Sequence, residues 1–186
     1  VFIMEDFKSC DFSTINDILT RNASLYPDDV ALIELNPYEP ETRHVTWRDY
    51  SLIESNPNNA FRRSITWHEF EEKANRVANL LLSRNVRKGD KIAILLMNCL
   101  EWLPIYFGIL RTGAIVVPLN YRYAADEIQF CVQLADVNVL FFGPEFTGRI
   151  EEVYDKLNNV KTFFYVGDDC PSFAENSMKL ISYCCK

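Results

Sequence analysis

The sequence predicts an α/β fold: a parallel β-sheet with flanking helices, preceded by a small duplicated β-hairpin region. Three observations predict it. Between residues 86 and 167, short apolar runs alternate with segments whose apolar residues recur at helical spacing. That βαβαβαβ order demands parallel pairing and right-handed crossovers. Each apolar run is closed by a turn former, in turn Asn98, Pro118 with Asn120, Gly143 and Gly167. Finally, residues 31–50 are repeated in immediate tandem as residues 51–70. The whole chain, 1–186, reads as a single partial domain.

Taken in order, Phe12 to Leu25 reads as a helix with Ser13 as N-cap and Ile15, Ile18, Leu19 and Leu25 near one face. Tyr26 to Asp29 is a turn, and Val30 to Leu35 a strand. The two copies follow. Eight of their twenty aligned positions are identical, including Leu32/Leu52, Ile33/Ile53, Glu34/Glu54, Arg43/Arg63, Thr46/Thr66 and Trp47/Trp67. Each copy reads as strand, Asn-Pro turn, strand and helix start, so one hairpin per copy is expected, one packed on the domain and one additional. Two copies are too few for a solenoid. Only the second runs on into a helix, where Thr66 and Glu69 form a capping box and Phe70, Ala74, Val77, Ala78 and Leu81 share a face.

The sheet begins with Lys91 to Met97, an apolar run that reads as a strand buried on both faces. Asn98 and Glu101 are spaced to cap a helix reciprocally, and Trp102, Ile105, Tyr106 and Ile109 form its apolar stripe. Gly113 supplies the left-handed residue that ends it. Ala114 to Val117 is a second strand, Ala125 to Ala135 a helix, Val137 to Phe142 a third strand, Phe146 to Leu157 a helix and Thr162 to Val166 a fourth strand. Phe173 to Lys186 is weakly helical.

Composition narrows the partners. A net charge of −7 argues against nucleic acid and anionic membrane, which require basic patches. The most apolar segment, Leu103 to Leu119, is broken by Pro104, Arg111 and Pro118, which suits a helix and a strand rather than a transmembrane segment. The first residues lack a basic stretch followed by a long apolar one, so no signal peptide is expected. Cys10, Cys99, Cys131, Cys170, Cys184 and Cys185 include no C-x-x-C pair, and with two histidines no metal site is expected. Reduced thiols and a cytoplasmic setting follow.

Two stretches carry a resemblance. Val45-Thr-Trp-Arg-Asp-Tyr50 and Ile65-Thr-Trp-His-Glu-Phe70 each resemble the first core motif of adenylate-forming enzymes, Leu-Thr/Ser-Tyr-x-Glu-Leu. Leu110-Arg-Thr-Gly-Ala-Ile-Val-Val-Pro-Leu-Asn120 resembles their second, and its Pro-Leu-Asn ending followed by Arg122 resembles the acyl-CoA synthetase branch. The resemblance covers most of residues 12–167 apart from one copy of the repeat. It implies the N-terminal subdomain of the acyl-CoA synthetase-like fold. It also implies a parent reaction in which ATP and a carboxylic (fatty or aryl) acid form an acyl-adenylate that is passed to coenzyme A, with magnesium as the ion. The phosphate loop, hinge acid and C-terminal lysine that carry this chemistry in the family have no counterpart in the sequence.

This chain is therefore expected to be an inactive fragment with no cofactor of its own, no catalytic residue is assigned, and self-association through apolar surface is expected. The alternative is a stand-alone α/β module that binds a small ligand or a protein. Ligands of open parallel sheets sit beyond the carboxyl ends of the strands, here Asn98, Asn120 with Arg122, Gly143 and Gly167. Each has a plainer reading: Asn98 caps a helix, Asn120 makes a turn, and Arg122 pairs with Asp126 or Glu127. His44 and His68 have no nearby nucleophile or metal partner in sequence and read as surface or capping residues.

Overall fold

The computed structural model describes residues 14–35 and 62–183. After α1 (Ile15–Leu25), β1 (Val30–Leu35) pairs antiparallel with β2 (Arg62–Thr66), which leads directly into α2 (Trp67–Ser83). Next come β3 (Lys91–Leu95), α3 (Trp102–Arg111), β4 (Ile115–Pro118), α4 (Ala125–Leu134) and β5 (Val139–Phe142). The chain continues with α5 (Thr147–Val153), β6 (Thr162–Tyr165), β7 (Glu175–Asn176) and α6 (Ser177–Tyr183).

The larger sheet has the order β4-β3-β5-β6-β7 and is parallel throughout. Both faces are covered, as a parallel sheet requires. On one face Ile92, Ile94, Phe141 and Phe164 pack against Val77, Leu80 and Leu81 of α2 and Ile105 and Ile109 of α3. On the other, Ala93, Leu95, Leu140 and Phe142 meet Ile128 and Val132 of α4 and Ile150 and Val153 of α5. Alternate residues of one strand thus serve opposite layers, which explains why β3 and β5 read as unbroken apolar runs. A third cluster, Leu19, Ile65, Phe70, Ala74 and Leu100, sits under the hairpin and α1. Among the described residues no helix is long and apolar enough to cross a membrane.

Most predicted elements are present, and the departures have identifiable causes. The N-cap of α1 is Thr14, whose N–H donates to the Asp17 carboxylate at 2.7 Å, and Ser13 lies outside the described residues. Of the predicted stripe on α1, only Leu19 is buried, with Ala23 beside it; Ile15, Ile18 and Leu25 are exposed. The Thr66–Glu69 capping box is formed in both directions, at 2.8 and 3.2 Å. Gly113 has φ +77 as expected, and a Cβ there would lie 3.1 Å from the Lys88 side chain. The segment predicted as one helix to Leu157 stops at Val153 and tightens into a 3₁₀ turn, Tyr154–Lys156. Within the weakly helical tail, Glu175 and Asn176 form a fifth parallel strand.

The hairpin differs most. The ladder joins the first strand of the first copy to the last strand of the second, with Leu32 opposite Ile65, Ile33 opposite Ser64 and Glu34 opposite Arg63. The expected pairing within each copy is therefore not the one that β1 and β2 make. The Asn-Pro turns, Trp47, His44 and residues 51–55 lie outside the described residues.

Candidate functional site

In this sheet order the connection leaving β3 runs toward β4 and the one leaving β5 runs toward β6, so the switch point lies between β3 and β5. That is where an open parallel sheet offers a crevice. Here the ends of β3 and β5 are crowded around Gly143. The N–H of Gly143 donates to the Leu95 carbonyl at 3.2 Å. A Cβ on Gly143 would lie 3.2 Å from Leu96 Cδ2 and 2.8 Å from a Glu145 carboxylate oxygen. Leu96 and Phe146 are buried at this end of the strands. The turn after β5, Pro144–Phe146, thus brings an apolar ring and a carboxylate where a phosphate would need N–H donors and positive charge.

Of the predicted strand-end residues, Asn120, Arg122 and Gly167 take local roles. Asn120 makes a turn: its Oδ1 accepts from the Arg122 N–H at 3.0 Å. Arg122 donates through Nε to the Tyr121 hydroxyl at 3.2 Å and lies over the Tyr121 ring, 5.5 Å from its centroid. The carboxylate of Glu127 accepts from the Ala124 N–H at 2.8 Å, at the start of α4. Arg149, which sequence reasoning did not single out, donates to the carbonyls of Tyr121 and Tyr123 at 2.9 and 3.0 Å and holds the loop after β4 against α5. The carbonyl of Gly167 accepts from Asn176 at 2.8 Å, and the buried Ser177 hydroxyl donates to the Tyr165 carbonyl at 2.8 Å. Burial, followed by the charge of Asp169, raises the Tyr165 phenol above its ordinary range.

Asn98 does not cap α3. It is exposed, and the N-cap position belongs to Glu101 in a helical conformation. The reason is a stronger partner: the Glu101 carboxylate accepts from Arg63 of β2 at 2.9 Å, a charge-assisted bond. The Leu100 N–H is met instead by the Glu34 carboxylate of β1 at 3.4 Å, and Glu34 lies 3.5 Å from the Arg63 guanidinium. The hairpin thus closes the end of β3, a contact across about 66 residues that local spacing could not reveal.

Cys99 sits in the same turn, half-buried. Desolvation first, then the charge of Glu101, pushes its thiol up to about 12. Among Cys99, Cys131 and Cys170, Cys99 is expected to react last with iodoacetamide at pH 8, because only the thiolate attacks. Peptide mass spectrometry over a time course reads this, and labelling of Cys99 as fast as Cys131 would contradict it.

Among the strand-end residues, Asn120, Arg122 and Gly167 have polar atoms engaged with near neighbours. Among the described residues no group of His, Cys, Asp and Glu could hold a metal ion.

A sequence profile of the AMP-binding enzymes matches residues 19–177. The medium/long-chain-fatty-acid–CoA/3-oxocholest-4-en-26-oate–CoA ligase of Mycobacterium marinum is 34% identical over 100 residues, 54% of this chain and 18% of the relative. The crotonobetaine/carnitine–CoA ligase of Salmonella typhimurium is 33% identical over 102 residues, 54% of this chain and 20% of the relative. In fold, the chain is similar to the anthranilate CoA ligase AuaEII solved with anthranoyl-AMP, with TM-score 0.74, 22% identity and coverage of 93% of this chain and 28% of that one. It is also similar to a long-chain-fatty-acid-CoA ligase from Archaeoglobus fulgidus, with TM-score 0.71, 18% identity and coverage of 92% and 30%. The matched stretch thus spans about a fifth of the length of these curated relatives.

Proposed function

The chain belongs to the AMP-binding enzyme family, and from that premise we propose that it is an N-terminal piece of an acid–CoA ligase and is inactive on its own. The parent would join ATP and a fatty or aryl carboxylic acid into an acyl-adenylate, releasing pyrophosphate, and then transfer the acyl group to the thiol of coenzyme A. ATP, magnesium and coenzyme A are thus cofactors and substrates of the parent, not of this chain. The single observation that supports the proposed inactivity is the crowding at the switch point, where Leu96, Phe146 and Glu145 stand around Gly143 at the ends of β3 and β5. The sequence agrees, with six glycines and no G-x-G. Isothermal titration with ATP–magnesium tests it: no heat of binding is expected at millimolar nucleotide. Saturable binding would favour the stand-alone ligand-binding module.

The partner proposed for the isolated chain is itself. Phe130 and Leu134, one turn apart on α4, are 63% and 74% exposed, and Ile115 is 52% exposed on β4, whose outer edge has no described partner strand. Exposed apolar surface beside an open sheet edge favours association. Sedimentation velocity at high concentration should show dimers or larger species, reduced in Leu134→Glu; a monomer throughout would contradict this. A cytoplasmic location with reduced thiols belongs to the same proposal, and the free thiols of Cys99, Cys131 and Cys170 are in keeping with it.

A further inference from the structure

We propose that the β4 edge of the five-stranded sheet is guarded against strand addition, by the Thr112 hydroxyl ahead of β4 and by Pro118 at its end, so that a second copy of this chain does not extend the sheet there. The proposal depends neither on the ligase reading nor on association through α4.

This edge is one that needs a guard. β4 lies outermost, with β3 as its partner strand among the described residues. Ala114-Ile-Val-Val117 carries no charge and is mostly β-branched, and Ile115 is exposed. An uncharged, β-forming run on a sheet edge is a template for a further strand. The opposite edge is protected differently: β7 has two residues, and its Glu175 carboxylate accepts from Arg84 at 3.1 Å.

Hydrogen-bond directions define what the β4 edge can offer. Successive N–H groups of a strand point to opposite edges. The Ile115 N–H donates to the Asp90 carbonyl at 2.7 Å and the Leu119 N–H to the Ile94 carbonyl at 2.9 Å, so residues 115, 117 and 119 face β3. Residues 114, 116 and 118 therefore face outward. The Ala114 N–H donates to the Thr112 hydroxyl at 3.2 Å, and that hydroxyl donates in turn to the Ile109 carbonyl at 2.7 Å. Pro118 has no N–H. Of the outward donors that an ordinary strand would present here, β4 keeps that of Val116. The carbonyls of an added strand opposite Ala114 and Pro118 would leave water and find no donor, which disfavours the pairing. The place of the proline is selective. At 117 or 119 it would remove a bond to β3, whereas at 118 it removes one from a newcomer alone.

Pro118→Val restores the missing donor and tests the guard. Assembly under native conditions is followed by thioflavin fluorescence, and the Val116 N–H by quenched amide exchange. Pro118→Val is expected to form thioflavin-positive assemblies about tenfold faster than the parent sequence. Val116 should be protected in them, and they should persist when Leu134→Glu is added. Gly108→Ala is the control for lost stability: a Cβ there meets Val77 at 2.5 Å, and the β4 edge keeps its proline. Assembly of Pro118→Val no faster than that of the parent sequence or of Gly108→Ala overturns the proposal. So does an unprotected Val116, or suppression by Leu134→Glu, which would put the contact on α4.

Discussion

Gly108→Ala is expected to destabilise the chain by about 3 kcal/mol, at the upper end of the range for overpacked cores. Gly108 lies on α3 where it crosses α2. A Cβ placed there would stand 2.5 Å from both Cβ and Cγ1 of Val77 and 2.9 Å from the Ala74 carbonyl oxygen. Val77 is β-branched and fully buried, so it has no alternative rotamer to retreat into. The two helices must move apart, and the face they share against Ile92, Ile94 and Phe141 loosens with them. A Tm lower by roughly 6–12 °C is the expected readout for a chain of this size. Gly148→Ala is the control: it is also helical, nothing lies within 4 Å of its added Cβ, and it should be neutral or stabilising by about 0.5–1 kcal/mol. Equal losses in the two variants would contradict this account of the α2–α3 crossing.

Arg111→Ala should cost about 2–3 kcal/mol. The side chain is 12% exposed and pairs with the Glu71 carboxylate, which is 19% exposed. Its guanidinium also donates to the Asn75 side chain, to the Glu71 carbonyl at 3.5 Å and to Asn16 and Thr20 of α1 at 3.5 Å. One cation thus ties together α1, α2 and α3. Removing it leaves a sheltered carboxylate without its countercharge, which costs about 3–5 kcal/mol when burial is complete and less here because the pair keeps some solvent. Arg111→Lys should recover only part, since a lysine cannot offer the planar set of donors. Urea unfolding of the three chains reads the series. An Arg111→Ala chain as stable as the parent sequence would show that the network is dispensable. Both residues lie in or beside the segment 110–120 that resembles a family motif, so that motif has a structural explanation here.

The sheet and its helices were legible because each announces itself locally. The run in β3 is apolar from Ile92 onward and that in β5 at every position, and the stripes on α2 and α3 recur every three or four residues. The ladder between β1 and β2 was not legible for a specific reason: the tandem repeat supplies two similar candidates for each strand, and pattern does not choose between copies. β7 has only Glu175 and Asn176, too short and too polar for a strand signal. The cap assigned to Asn98 failed because Arg63 draws Glu101 away, a contact set by folding and not by spacing. At the candidate site, sequence placed residues at the strand ends but could not show that Leu96 and Phe146 crowd Gly143 there, nor that Arg149 holds the loop after β4. The family itself was legible from the two short motifs.

The most direct test of the central claim is a pyrophosphate-release assay of this chain with ATP, magnesium and a mixture of fatty and aryl carboxylic acids, at an enzyme concentration well above that used for an intact ligase. The account predicts release indistinguishable from buffer, because among the described residues Leu96, Phe146 and the Glu145 carboxylate crowd the switch point. Acid-dependent release that follows the concentration of this chain would contradict it and would place a working adenylation site at the ends of β3 and β5.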